Sequence, residues 1–177
     1  MKIFNIKITL LLLVVLISGC AGTGGSYKLK ESPLSNEQAA KYSELSVKIQ
    51  PGENINLNQE SIDRITQLII GNIQSDHSNR FAKINHESLG DTTIEAAVII
   101  KRYEEGSVFA RMMLAGLGQM HIDADVILYD HASRERLTQY EVNKTFAWGG
   151  IYGGMTTIKD VEVGFSKAVA DAILGKK

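Results

Sequence analysis

Cysteine is nearly absent from this chain, which has a single one, Cys20, among its 177 residues. A disulfide framework within the chain is therefore excluded, and the fold must be stabilised by a packed core. An excess of charge is also lacking, since the formal net charge at pH 7 is -1. This balance predicts no nucleic-acid partner. A lone G-x-G at 116–118 lacks the further glycine and helix of a dinucleotide site, so no cofactor is predicted.

Residues 1–19 have the pattern of a cleaved secretory signal peptide. Lys2 and Lys7 supply positive charge, and the segment Ile8–Ile17 is apolar apart from Thr9. This apolar segment is shorter than the roughly 20 residues that a membrane-spanning helix needs. We therefore predict removal of the segment rather than a transmembrane anchor.

The sequence LISGC, Leu16–Cys20, resembles the bacterial lipobox. The resemblance implies that Cys20 becomes the first residue of the mature protein and carries a diacylglycerol and an acyl chain such as palmitate. Ala21, which takes the place of an aspartate, implies the periplasmic face of the outer membrane. Two or more acyl chains hold a protein on a bilayer almost permanently. The alternative is an unmodified, buried cysteine.

After the cysteine, the chain is rich in glycine and serine and shows no hydrophobic period. Residues 20–43 are therefore predicted to be a flexible tether. A single domain is predicted over residues 44–177. Its first strand is expected at Glu44–Gln50, and its most hydrophobic, central strand at Thr92–Tyr103. A hairpin follows, with one strand around Ile122–Leu128 and its partner running back over Leu137–Trp148.

Two segments have the apolar spacing of amphipathic helices. The first spans Asn58–Gln74 with an asparagine cap, and the second begins at Thr157, where Asp160 completes a capping box and Gly175 is placed as the stop. We therefore predict an α+β domain. Its sheet is mostly antiparallel with four to five strands, and both helices pack on one face.

Two glycine-containing connections are the candidate partner-binding sites. The first contains Arg111, Met112, Met113 and Leu117 between two predicted strands. Methionine adapts to varied partners, so this segment is predicted to be a contact surface. The alternative is a β-bulge or wide turn whose glycines adopt positive φ.

The second candidate connection is WGGIYGGM, which joins the last strand to the last helix. Its four glycines predict a mobile loop, and Trp148, Ile151 and Tyr152 are predicted partner contacts because aromatic residues are enriched at binding hot spots. The alternative is that Trp148 closes the edge of the core.

The sequence HIDAD places His121, Asp123 and Asp125 on one face of a strand. Such a set could bind a divalent metal, and a metal-dependent hydrolase is one alternative function. The same spacing arises on any strand with one solvated face. We favour the solvated face, and predict no metal site and no enzyme.

The run from Phe109 to Asp130 contains a basic residue, a G-x-G turn and an apolar strand that ends in aspartate. With the glycine-rich loop and C-terminal helix that follow, it resembles small bacterial lipoproteins of a domain-of-unknown-function family. A more distant resemblance, in the order of elements alone, is to the TolB N-terminal-like fold. Neither implies catalytic residues; the second favours binding over catalysis.

These observations predict a lipid-anchored periplasmic protein that assists an envelope complex by binding. Its expected partners are the membrane, through the N-terminal lipid, and another envelope protein. A second hypothesis is a structural subunit of a homo-oligomeric outer-membrane lipoprotein assembly that uses an unpaired strand edge.

Overall fold

The computed structural model describes residues 24–85, 90–114 and 117–176. In this part of the chain six strands and five short or medium helices are formed. The strands are β1 Ser26–Leu29, β2 Glu44–Pro51, β3 Lys83–Ile84, β4 Thr93–Glu104, β5 Met120–Asp130 and β6 Arg136–Phe146. The helices are α1 Asn36–Ala39, α2 Gln59–Gln74, α3 Val108–Met113, α4 Gly150–Met155 and α5 Ile158–Ile173.

The strands form one mixed sheet in the order β1-β6-β5-β4-β2-β3. The pairs β4–β5, β5–β6 and β6–β1 are antiparallel, which confirms the α+β class and the predicted hairpin. The predicted count of four to five strands is too low, and β2 is parallel to both β3 and β4. Parallel neighbours require a crossover connection. Helix α2, which follows β2, lies in that crossover.

The core lies between one face of the sheet and helices α2 and α5. Alternation in β5 places Ile122, Ala124 and Val126 in the core with no exposed surface, as the period of two requires. Helix α2 contributes Ile65 and Ile69 to the same core. Helix α2 contacts α5 and β2, and α5 contacts β1, β5 and β6, so both helices lie on one face as predicted.

Both predicted helix starts are confirmed by their caps. The side chain of Asn58 accepts a hydrogen bond from the Ser61 N–H at 2.8 Å. At α5, the N–H and the hydroxyl of Thr157 both donate to the Asp160 carboxylate at 2.8 Å. These contacts satisfy polar groups that the helix itself leaves open.

A buried ion pair connects α2, α5 and β4. Glu162 on α5 is completely buried, and it accepts hydrogen bonds from Arg64 Nε at 2.5 Å and Nη2 at 2.9 Å. The Tyr103 hydroxyl donates to the same carboxylate at 2.7 Å. Burial, followed by the hydrogen bond to Glu162, raises the pKa of Tyr103 to about 12. One carboxylate therefore joins three elements across the core.

The tether prediction for residues 20–43 differs from the structure in its second part. Ser26–Leu29 forms edge strand β1, antiparallel to β6, and Asn36–Ala39 forms a helical turn capped by Ser35. The reason is a non-local pairing, since the partner of Ser26 is Asn143. The domain therefore includes these residues. Cys20 and the signal segment lie outside the described residues.

Membrane spanning was assessed over the described residues only. None of the helices in this part of the chain combines the length and the apolar character needed to cross a bilayer.

Candidate interaction surface

Large apolar side chains are exposed at one end of the molecule. Ten of them, each at least half exposed, belong to the connection between β4 and β5 or to the connection between β6 and α5. We call these ten the apolar end: Val108, Phe109, Met112, Met113, Leu114, Leu117, Trp148, Ile151, Tyr152 and Met155. Large exposed apolar patches are uncommon on monomeric proteins, so the apolar end is the candidate interaction surface.

The sheet register explains why two distant segments meet. Glu104 at the end of β4 pairs with His121, and Met120 at the start of β5 pairs with Phe146 at the end of β6. Both connections therefore leave the sheet at the same end. Helices α3 and α4, which lie in these connections, contact each other.

Arg111 holds the two connections together. Its side chain is only 2% exposed, and its Nη1 donates to the carbonyl oxygens of Glu105 at 2.9 Å and Gly118 at 2.8 Å. Nε and Nη2 cross to the other connection and donate to the carbonyls of Gly153 at 2.9 Å and Thr156 at 3.3 Å. The planar guanidinium supplies donors in several fixed directions, so one side chain fixes both segments.

The structure therefore corrects the prediction that Arg111 contacts a partner. Helix α3 begins after Ser107, whose side chain accepts a hydrogen bond from the Ala110 N–H. Within this short helix Arg111 is buried, whereas the side chains of Met112 and Met113 are exposed. Because a helix advances about 100° per residue, adjacent side chains face different directions. Arg111 is therefore a buried residue that positions the two connections of the apolar end and is not itself exposed there.

Two glycines of the second connection are closely packed, Gly153 against the backbone of its own connection and Gly154 against a side chain of α3. A Cβ atom on Gly153 would lie 2.2 Å from the Trp148 carbonyl oxygen, and one on Gly154 would lie 2.3 Å from Met112 Cγ. The sequence suggested a mobile loop, but residues 150–155 form the short helix α4 with Gly153 buried. The glycines serve close packing at these positions.

We expect Gly153→Ala to lower the free energy of unfolding by about 1–3 kcal/mol, the usual cost of overpacking. The added methyl would displace the Trp148 carbonyl, so the near-ultraviolet dichroism of Trp148 should change as well. Urea unfolding measures the first effect. The control is Gly71→Ala in α2, where no atom lies within 4 Å of the new Cβ, and a gain of about 0.5–1 kcal/mol is expected. Equal stability of the Gly153 variant and the native protein would contradict the close-packing interpretation.

A pocket of about 260 Å³ opens beside the apolar end, with Phe146, Trp148, Tyr152 and Val163 among its lining residues. The rings of Phe146 and Tyr152 are 5.9 Å apart, centre to centre. Lys144 and Gly164 also line it. Burial lowers the pKa of Lys144.

The N-terminal segment enters at the same pocket. Lys144 Nζ donates to the Gly24 carbonyl at 2.8 Å, and the Gly25 N–H donates to the Gly164 carbonyl at 2.9 Å. Strand β1 then continues along β6 away from the apolar end. The described chain therefore starts beside the exposed apolar side chains.

Six of the seven predicted contact residues are exposed at the apolar end, and the fold brings their two segments together. They are Met112, Met113, Leu117, Trp148, Ile151 and Tyr152. The prediction missed Phe109, which is 71% exposed, and Met155, which is 76% exposed. Phe109 lies two residues before Arg111, and Met155 is the last residue of the segment WGGIYGGM. Their hydrophobicity in these connections was the signal that could have identified them.

The three polar side chains of HIDAD lie on the face of the sheet opposite the helices. His121 Nδ1 is 3.0 Å from the Thr145 hydroxyl, and Asp125 accepts from Lys101 Nζ at 2.9 Å. Asp123 lies 3.8 Å from a guanidinium nitrogen of Arg102. Among the described residues no group of three or more potential ligands could hold a metal ion. The two aspartates are thus paired with cations on the open face.

Residues 25–150 match the family model described as Domain of unknown function (DUF4410). The chain belongs to this family. Membership confirms the predicted resemblance to a domain-of-unknown-function family. The matched range includes β1, the first segment of the apolar end and Trp148 of the second, which are seven of the ten apolar-end residues. Ile151, Tyr152 and Met155 follow the last matched residue.

Solved structures share the fold of this DUF4410 domain at low sequence identity. A leucine-to-methionine variant of the PelC dodecamer from Paraburkholderia phytofirmans has a TM-score of 0.55 and 9% identity, with 86% of this chain and 98% of that chain covered. A Xanthomonas campestris protein described as DUF330 has a TM-score of 0.53 and 10% identity, with 75% and 84% covered. These likenesses show the fold alone. No curated protein matches the sequence.

Proposed function

We propose that this protein is a lipid-anchored accessory protein of the bacterial envelope that acts by binding rather than catalysis. Its binding surface is the apolar end, which receives an apolar surface of another envelope component. The observation that supports this most directly is the grouping of ten exposed apolar side chains around a buried arginine. Such side chains stay in water at a free-energy cost that contact with a partner removes.

The lipobox at Leu16–Cys20 supports the anchor. A lipid on Cys20 would confine the domain to a thin layer beside the outer membrane. Confinement raises the effective concentration of every component in that layer, so a modest affinity at the apolar end suffices. An envelope complex can thereby be assisted without a tight soluble interaction.

Crosslinking in intact cells tests the binding surface. A photoreactive amino acid at Met113 or Ile151, which are 65% and 79% exposed, should capture an envelope component, either a protein or a lipid, that mass spectrometry identifies. The matched control is the same amino acid at the exposed residue Ala132, in the turn at the far end of the hairpin. Capture from position 132 alone, or from none of the three sites in a folded protein, would contradict the proposal.

A homo-oligomeric lipoprotein assembly is the second candidate function. The fold similarity to subunits of a dodecamer supports this candidate. The strand edges do not favour the expected mode of association, because β1 spans four residues and β3 spans two, and short edges limit strand addition. A mass measurement in solution separates the candidates, since the subunit hypothesis requires a multimer.

A further inference from the structure

We infer that the apolar end docks on the lipid bilayer that holds Cys20, with its exposed side chains in the headgroup region. This inference rests on the proposed lipid anchor and names the partner of the proposed binding surface. The protein would then contact the membrane twice, through the covalent lipid and through the apolar end. Its orientation relative to the bilayer would be fixed.

The position where the chain enters the domain supports this inference. Gly24 is hydrogen-bonded to Lys144, and Gly25 to Gly164. Both partners line the pocket beside Trp148 and Tyr152. Cys20 precedes Gly24 by four residues, which span at most about 14 Å when fully extended. The lipid chains are therefore attached within a short distance of the apolar end, whatever conformation those residues adopt.

The opposite end of the sheet lies too far from the lipid anchor to contact the bilayer instead. Strand β5 runs from Met120 beside the apolar end to Asp130 at the far turn, a length of roughly 33 Å at 3.3 Å per residue. Because the segment between Cys20 and Gly24 is short, the apolar end is the part of the domain that contacts the bilayer surface. A protein partner would have to enter the narrow space between this surface and the membrane.

The charge pattern of the surface fits a bilayer. The two stretches 106–118 and 145–158 contain one charged residue, Arg111, and its side chain is buried against main-chain carbonyls. The exposed Glu105 precedes the first stretch, next to the end of β4. No charged side chain of these stretches would have to lose its hydration on docking, a costly step in membranes. Trp148 and Tyr152 are residue types that concentrate at membrane–water interfaces.

The test uses the mature, lipidated protein in phosphatidylethanolamine–phosphatidylglycerol vesicles whose acyl chains are brominated. Trp148 is the only tryptophan of the chain, so its fluorescence reports on the apolar end without labelling. Bromine quenches tryptophan on contact. We expect roughly a twofold or greater loss of emission relative to vesicles of unbrominated lipid, unchanged when the protein is diluted tenfold in lipid.

Two variants make the measurement specific. In Trp148→Phe combined with Ala132→Trp, the reporter moves to the far turn, and emission should be equal in both kinds of vesicle. In Ile151→Asp, the fold should persist because the side chain is 79% exposed, and quenching of Trp148 should fall to less than half of its native extent.

The outcomes separate the anchor from the docking. Protein that sediments with the vesicles while Trp148 is unquenched overturns the docking and leaves the lipid anchor standing. Quenching that appears only on dilution in lipid overturns it in favour of a second copy of the chain, which would shield Trp148 from the lipid at the higher protein density. Equal quenching at position 132 overturns the orientation. An unmodified Cys20 in the mass spectrum of the purified protein refutes the proposed anchor itself.

Discussion

Replacing Arg111 by leucine is expected to lower the free energy of unfolding by about 3 kcal/mol. The substitution leaves the carbonyls of Glu105, Gly118 and Gly153 without the donor that now satisfies them. Each buried acceptor without a partner costs about 1–3 kcal/mol, and water reaching some of them keeps the total near the lower end of the summed range. Urea unfolding followed by far-ultraviolet dichroism measures the change.

The same variant should lose the apolar end as a single surface. With the guanidinium gone, α3 and α4 have no shared hydrogen-bond donor, and amide hydrogen exchange in the segments 105–114 and 150–156 should quicken before that of β5. The control is Arg134→Leu in the far turn. Its side chain is 63% exposed and pairs with Glu95, so a loss of no more than about 1 kcal/mol is expected. Similar losses in both variants would refute a special role for Arg111.

Replacing Glu162 by leucine is expected to cost about 4 kcal/mol, the range found when one partner of a buried ion pair is removed. Arg64 would keep its charge near the core, where the carboxylate now accepts two of its hydrogen bonds. The hydroxyl of Tyr103 would lose its acceptor as well. The measurement is again the free energy of unfolding in urea.

Arg64 provides an internal control for this result. It also bonds Glu60 at 3.0 Å, one helical turn away, and the side chain of Glu60 is 75% exposed. Glu60→Ala should cost no more than about 0.5 kcal/mol, the value of an exposed pair on a helix. If the two glutamate variants lost stability equally, burial would not be the factor that makes the Glu162 pair important.

Local patterns in the sequence predict the central part of the fold. The alternation in β5 and β6, the helical spacing in α2 and α5, and the caps at Asn58 and Thr157 each act within a few residues. These elements could therefore be predicted from the sequence alone. Strand β1 was missed because four residues give too short a period, and its pairing partner β6 lies more than a hundred residues later in the chain.

The candidate surface also depends on contacts between segments that are distant in the sequence, which local patterns do not predict. Exposed methionine and aromatic residues in glycine-containing connections indicated both segments, but nothing in their composition indicated that they meet. The burial of Arg111 was not predictable, since arginine is mostly exposed and its acceptors are main-chain carbonyls, which every residue has. Glu162 is similar: its partner Arg64 lies on another helix.

Strand β1 also determines how the domain responds to mechanical load. It leaves the sheet at the end nearest Cys20, and its hydrogen bonds to β6 run perpendicular to the strands. Tension on a lipid-linked N-terminus would act along the strand, so these bonds would be sheared together rather than peeled open one at a time. The domain would therefore follow displacements of its anchor as a rigid body.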